Sequence, residues 1–183
     1  MGRGKRFAGR ASGLADALLG GWQLNGIVDA SSGFPFSVYS GYHTFTFYDN
    51  STRVASTSAS AVSNRAVYTG SSRRIGRVSR TPAGAEFFSP EEEALFRSPA
   101  PGETGSGRNL FTGPGFFQVD LGLFKNFKMG GDRRLELRVE VFNVFNTVNF
   151  ENPTILMTSG SFGSITDTRV PPRIVQLGLK MHF

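Results

Sequence analysis

Residues 116–142 read FFQVDLGLFKNFKMGGDRRLELRVEVF, and their parity decides the fold. Successive side chains of a strand point to opposite faces. From 116 to 127 one face takes Phe117, Val119, Leu121, Leu123, Lys125 and Phe127. The other takes Phe116, Gln118, Asp120, Gly122, Phe124 and Asn126. KMGGDR then turns the chain, with Gly130 and Gly131 available for positive φ. Beyond it, Leu135, Leu137, Val139 and Val141 share a face opposed by Arg134, Glu136, Arg138 and Glu140. This is a hairpin with one continuous apolar face and one charged face.

The same alternation recurs outward from the hairpin. At the end of the chain Arg173, Val175, Leu177, Leu179, Met181 and Phe183 alternate with Ile174, Gln176, Gly178, Lys180 and His182. Near the front Trp22, Leu24, Gly26, Val28 and Ala30 alternate with Gln23, Asn25, Ile27 and Asp29. SSGFPF reads as a turn into a further strand through Phe36 and Val38, whose parity slips between Ser40 and Phe45. The pattern predicts five strands, near 20–31, 34–48, 116–127, 134–146 and 173–183, with loop-like stretches over 49–115 and 147–172. Inside the first loop SPEEEALF predicts a short helix: Ser89 caps, Pro90 takes the first position and Glu92 completes a capping box. The carboxylates Glu91, Glu92 and Glu93 then suit the helix dipole and need no metal.

Period-two alternation fits a half-buried soluble sheet and a transmembrane barrel alike. Three features favour the barrel. Phe117–Phe127 has the length to cross hydrocarbon at a tilt, whereas globular strands average about 5–6 residues. Phe116, Phe117, Phe127, Phe142, Phe145, Phe150 and Phe183 sit at strand ends, with Val and Leu between them, as in interfacial girdles. Short turns (SSGF, KMGGDR) alternate with long connections, as periplasmic turns do with external loops. Lys125, near a strand end on the apolar face, is expected to snorkel to the interface. The fold class expected is all-β, an antiparallel transmembrane β-barrel segment with long external loops. Closed single-chain barrels have at least eight strands, and an open edge in lipid leaves backbone groups unpaired. Five strands therefore form part of a larger barrel or of an oligomeric one.

Composition excludes several other classes. The 183 residues include 18 Phe, 23 Gly and no Cys, so disulfide frameworks and thiolate metal sites are out. No window approaches the roughly 18 apolar residues of a membrane helix, and MGRGKRFAGR leads into no convincing secretory signal. The net charge of +6 points to a polyanionic partner. Arg3, Lys5, Arg6 and Arg10 open the chain, and no acidic residue occurs between Asp49 and Glu86. Arg53, Arg65, Arg73, Arg74, Arg77 and Arg80 all fall in that interval, among Ser, Thr and Ala. They lack the aromatic interleaving that single-strand nucleic-acid binding needs, so no nucleic-acid partner is expected. His43 and His182 are far apart, and Gly102–Gly107 is followed by no Lys-Ser/Thr, so it is no phosphate loop. No catalytic residue, metal or cofactor is assigned, and the chain is not expected to be an enzyme.

GWQLNGIVDASSGFPFSV, RNLFTGPGFFQVDLGLFKNF, RLELRVEVFNVFNTVNFENP and PRIVQLGLKMHF together resemble the C-terminal end of TonB-dependent outer-membrane receptors. The likeness is greatest to the Oar-like subgroup with a carboxypeptidase-regulatory-like N-terminal domain, known from Acidobacteria. It covers most of the chain outside 49–85, and the Asn143–Asn146 segment NVFN and the terminal strand carry it most specifically. The resemblance implies the last strands of a 22-stranded barrel in the outer membrane, serving uptake of a large or scarce ligand. Neither plug nor TonB box is recognisable here. The plug, the rest of the barrel and TonB, acting through the missing N-terminal part, would then be partners.

On that reading Gln176, Gly178, Met181 and Phe183 form the signal read by the barrel-assembly machinery. Gln118, Asp120, Asn126, Glu136, Arg138 and Glu140 face the lumen, where Arg138 offsets the two glutamates beside it. The external loop with Arg53, Arg65, Arg73, Arg74, Arg77 and Arg80 would meet lipopolysaccharide, and the apolar face would meet outer-membrane lipid. The alternative is a self-standing β-rich binding or structural module that oligomerises through open sheet edges.

Overall fold

The computed structural model describes residues 18–41, 47–49, 54–56 and 64–183. Arg3, Lys5, Arg6, Arg10, His43, Phe45 and Arg53 lie outside the described residues. In chain order the strands are β1 (Trp22–Ser31), β2 (Pro35–Phe36), β3 (Phe47–Asp49), β4 (Val54–Ser56), β5 (Val67–Tyr68), β6 (Ser79–Thr81) and β7 (Gly84–Glu86). After the short helix α1 (Pro90–Glu93) come β8 (Phe96–Arg97), β9 (Phe111–Thr112), β10 (Phe116–Lys128), β11 (Arg134–Phe142), β12 (Ser164–Ile165) and β13 (Ile174–His182). No helix among the described residues is long and apolar enough to cross a membrane. The chain divides into two compact units.

The first unit joins the described residues up to Ala30 with Phe117–Val148 and Val170–Phe183. It is a four-stranded sheet in the order β1-β10-β11-β13. The hairpin forms as its parity requires: Leu121 opposes Val141, Leu123 opposes Val139 and Phe127 opposes Leu135. β13 continues the apolar face, with Met181, Leu179, Leu177 and Val175 opposite Leu135, Leu137, Val139 and Val141. Asn126 N–H donates to Gly21 O at 2.9 Å while Gly26 lies against Leu121, so β1 runs opposite to β10. Leu24, Val28, Leu177 and Leu179 are 70%, 67%, 72% and 70% exposed. A water-soluble sheet would bury such a face, and a contiguous apolar surface of this kind needs lipid or a partner. A nine-residue strand at ~3.3 Å per residue, tilted about 40°, rises roughly 23 Å, which matches an apolar band about 25 Å tall.

Two expectations need correction. The strand expected over 34–48 is not a membrane strand among the described residues. Pro35–Phe36 pairs with Phe111–Thr112, Phe47–Asp49 pairs with Val54–Ser56, and Phe36 and Val38 are buried in the second unit. Apolar alternation there serves a globular core rather than lipid. The sheet therefore has four strands, not five, and β1 pairs directly with β10. This also moves SSGF to the rim where β1 ends, β10 begins, β11 ends and β13 begins, and KMGGDR closes the opposite rim. The strand expected to reach residue 146 ends at Phe142, because Asn143 turns to φ 53.

The second unit, Ser31–Phe116 with Asn149–Arg169, contains a core of Phe36, Val38, Ala66, Phe87, Phe88, Phe96, Phe111 and Ile165. Tyr68 and Phe162 pack against it, and neighbouring rings lie 5.2–6.2 Å apart at mostly edge-on or tilted angles. Residues 64–115 are thus far from loop-like. Strands of two or three residues suffice because aromatic burial, worth about 1.5–3 kcal/mol per ring, carries the packing. The three-stranded sheet β12-β7-β6 ties 149–169 to this body. α1 forms where expected, with Ser89 Oγ accepting from Glu92 N–H at 3.3 Å and the Glu92 carboxylate accepting from Ser89 N–H at 3.0 Å.

Candidate functional site

The polar face of the four-stranded sheet gathers most of the chemistry expected there. Register sets Asn126, Glu136 and Lys180 in one row, Phe124, Arg138 and Gly178 in the next, and Gly122, Glu140 and Gln176 in a third. The Arg138 guanidinium pairs with Glu136 and lies over the Phe124 ring, 5.5 Å from its centroid. A Cβ at Gly122 would come within 2.9 Å of the Phe124 ring, so glycine gives that ring its place. A shallow hollow of about 190 Å³ opens between Asn25, Ile27, Asp120, Phe124, Glu140 and Phe142. Its lining is mostly apolar, with two carboxylates, Asp120 and Glu140, among the residues around it.

Not every residue expected on this face is free for a ligand. Asp120 accepts the Asn143 N–H at 2.8 Å and two bonds from Gln118 Nε2 at 2.8 and 3.0 Å. Asp120 and Gln118 thus hold the end of the neighbouring strand. Of the expected residues, Asn126, Glu136, Arg138 and Glu140 lie in the rows of this face away from that contact.

The NVFN segment explains its own composition. Asn143 and Asn146 both adopt left-handed φ, 53 and 52, which asparagine tolerates better than most residues. Buried Asn143 donates from Nδ2 to Thr147 O (3.0 Å) and Pro171 O (3.3 Å), and its Oδ1 accepts from Thr147 N–H at 2.9 Å. Asn146 Oδ1 accepts from Arg173 N–H at 2.9 Å, and Val144 N–H donates to Val119 O at 2.8 Å. The segment is a clasp that fastens β10, β11 and the approach to β13 at one rim. Asn143→Ala is expected to cost about 2–3 kcal/mol, since three hydrogen bonds go and alanine must hold a left-handed backbone. Asn143→Gly should recover only the backbone share, about 1 kcal/mol. Urea midpoints of the chain folded in detergent together with the rest of its barrel test this, and equal midpoints for all three proteins would refute it.

Lys125 does not reach outward. Its ammonium is buried, donates to Leu18 O (3.3 Å) and to Gly20 O, and lies 5.2 and 5.1 Å from the Trp22 and Phe127 ring centroids. A charge on an apolar face must find acceptors, and the carbonyls ahead of β1 are the nearest. On β13, Gln176 and Gly178 lie on the polar face, Met181 on the apolar one, and Phe183 follows the strand, 88% exposed. His182 Nε2 is buried without a partner among the described residues.

In the second unit Arg65, Arg73, Arg74, Arg77 and Arg80 are exposed, and none enters an ion pair among the described residues. Glu92 belongs to the scaffold: beyond its capping role it accepts Gly76 N–H at 3.0 Å. Arg97 grips Glu103 through two bonds of 2.7 and 2.6 Å, and Ala100 N–H adds a third at 2.8 Å. The Arg97 hydrogen bonds, then that of Ala100, bring the Glu103 carboxyl down to about 2. A carboxyl lowered by folding stabilises the folded turn above its ordinary range near 4.3, and the contribution is lost as pH falls toward its folded value. NMR should show Glu103 titrating near 2 and returning to the ordinary range in Arg97→Ala. An unchanged midpoint in that variant would discard the assignment.

Neither a curated protein nor a solved structure matches the chain. A family model described as an outer membrane beta barrel domain matches residues 1–176. That match covers nearly all of the sequence and agrees with a mostly β chain whose longest strands form one apolar-faced sheet. The chain belongs to the outer membrane beta barrel domain family, and its place is the outer membrane.

Proposed function

We propose that the chain is the C-terminal part of the barrel of a TonB-dependent outer-membrane receptor, taking up a large or scarce ligand as one arc of a larger wall. The observation that carries this is the open sheet: among the described residues β1 and β13 each pair on one side only. Four strands about 4.8 Å apart make roughly 15–20 Å of wall, well short of closure. Unpaired edges in hydrocarbon cost several kcal/mol per backbone group, so further strands must flank both. The NVFN clasp and the terminal strand, the stretches most like the receptor family, are the parts that set the rim and one edge.

On this reading the polar face lines the lumen, with Gln118 and Asp120 as scaffold and Asn126, Glu136, Arg138 and Glu140 toward solute. Both long connections lie outside the cell, and Gln176, Gly178, Met181 and Phe183 address the barrel-assembly machinery. The plug and remaining strands complete the transporter, and TonB acts through them. No catalytic role is proposed.

Production of the chain alone and together with the rest of a receptor barrel tests this. The expected result is a heat-modifiable, detergent-extracted species only in the second case. A discrete detergent-stable oligomer from the chain alone would favour self-association through β1 and β13. A soluble, monodisperse protein without detergent would refute the receptor reading and favour the self-standing module that oligomerises through its open sheet edges.

A further inference from the structure

We propose that the segment from Arg73 to Arg80 is a docking surface for the phosphorylated headgroups of lipopolysaccharide. Its backbone is held at several points. Gly76 N–H donates to Glu92 Oε1 at 3.0 Å, Arg77 N–H donates to Phe87 O at 2.8 Å, and Ile75 and Val78 pack on the aromatic core. Gly76, at φ 80, lies so close to the Phe87 ring that a Cβ would clash. On this anchored stretch Arg73, Arg74, Arg77 and Arg80 are all exposed, four cations within eight residues.

Two of the nearby carboxylates are hydrogen-bonded within the scaffold. Glu92 is taken by Ser89 and Gly76 N–H, and Glu86 accepts from Thr81 Oγ1 at 3.1 Å. Arg65, elsewhere in this unit, is also exposed and donates from Nε to Ser106 O at 2.7 Å. Guanidinium forks match phosphate oxygens bidentately, and a backbone fixed beforehand lowers the ordering cost of binding. Nucleic acid fits less well, because the exposed residues of this segment include no aromatic ring on which bases could stack. In the outer membrane, the dense phosphates that face an outward connection belong to the outer-leaflet glycolipid. The inference rests on the outward placement of the long connections, given above.

The chain has no cysteine, so Ala83→Cys, in the exposed turn before β7, supplies a single label site. Labelling of intact cells by a membrane-impermeant maleimide is expected. Its absence would overturn the outward placement and the docking surface with it. For the labelled orientation, the chain extracted in detergent together with the rest of the barrel is titrated with lipopolysaccharide, dephosphorylated lipopolysaccharide, inorganic phosphate and duplex DNA. Combined Arg73→Gln, Arg74→Gln, Arg77→Gln and Arg80→Gln should weaken lipopolysaccharide binding about 10-fold or more and flatten its salt dependence.

Arg133→Gln, in the KMGGDR turn, should change nothing and controls for the loss of one positive charge away from the segment. Dephosphorylated lipopolysaccharide should bind the native protein as weakly as intact lipopolysaccharide binds the fourfold variant, and phosphate alone should not saturate. If that variant misfolds, Arg73→Gln with Arg74→Gln is expected to weaken binding about 3-fold. Unchanged lipopolysaccharide affinity, saturation by phosphate alone, or DNA binding of equal strength would each overturn the proposal.

Discussion

Replacing Phe88 with alanine is expected to destabilise the second unit by about 3–5 kcal/mol, the range for emptying a phenylalanine site in a core. Phe88 is 1% exposed, and its ring lies 5.2–6.2 Å from those of Phe36, Phe87, Phe96, Phe111 and Phe162. Phe162 comes from the second long connection, so the cavity would open between segments far apart in sequence. A domain of this size has only about 5–15 kcal/mol in hand, so the loss is a large fraction of it. Phe88→Leu, which fills more of the site, should cost under about 2 kcal/mol. Limited proteolysis and near-UV circular dichroism in detergent report on the unit. Cleavage within 64–115 should rise sharply for alanine and little for leucine, and equal resistance in both would show that this core does not hold the unit.

The second large effect concerns the sheet. Leu177 is 72% exposed, and on a water-facing surface its replacement by arginine would change stability by no more than about 0.5 kcal/mol. In an outer-membrane barrel the same side chain faces acyl chains, and Leu177→Arg should cost about 2–4 kcal/mol near the midplane. Its neighbour Gln176, opposite Glu140 on the other face, supplies the internal control. Gln176→Arg should be tolerated, because that face carries Glu136 and Glu140 to receive it. Folding yield into lipid vesicles and denaturant midpoints distinguish the two variants. Equal tolerance would mean that the face of Leu177 does not meet lipid.

What could be read from sequence follows from the range of each signal. The β10–β11 hairpin, β13 and α1 depend on parity, a two-glycine turn and a capping box, all contained in a few consecutive residues. The exposed apolar face was legible for the same reason. The aromatic core was not: Phe36, Phe87, Phe88, Phe96, Phe111 and Phe162 have no common period, and their strands are only two residues long where they have strands at all. Phe36 and Val38 alternate as a membrane strand would, yet they are buried in a globular core, and parity alone does not separate lipid from protein as the burying phase. On the polar face, parity found Gln118 and Asp120. The bond of Asp120 to Asn143 is a contact across 23 positions that no local pattern announces.

The pairing of β12 with β7 joins the two long connections through one small sheet, with Ser164 opposite Glu86 and Ile165 opposite Ala85. Phe87 N–H donates across the same seam to Gly163 O at 2.8 Å. Surface loops of barrels are commonly treated as independent modules, to be exchanged one at a time when specificity is re-engineered. Here such an exchange would leave half an interface without its complement. Residues 64–115 and 149–169 must be transplanted as a single cassette, and in diverging relatives substitutions in one should be answered by substitutions in the other.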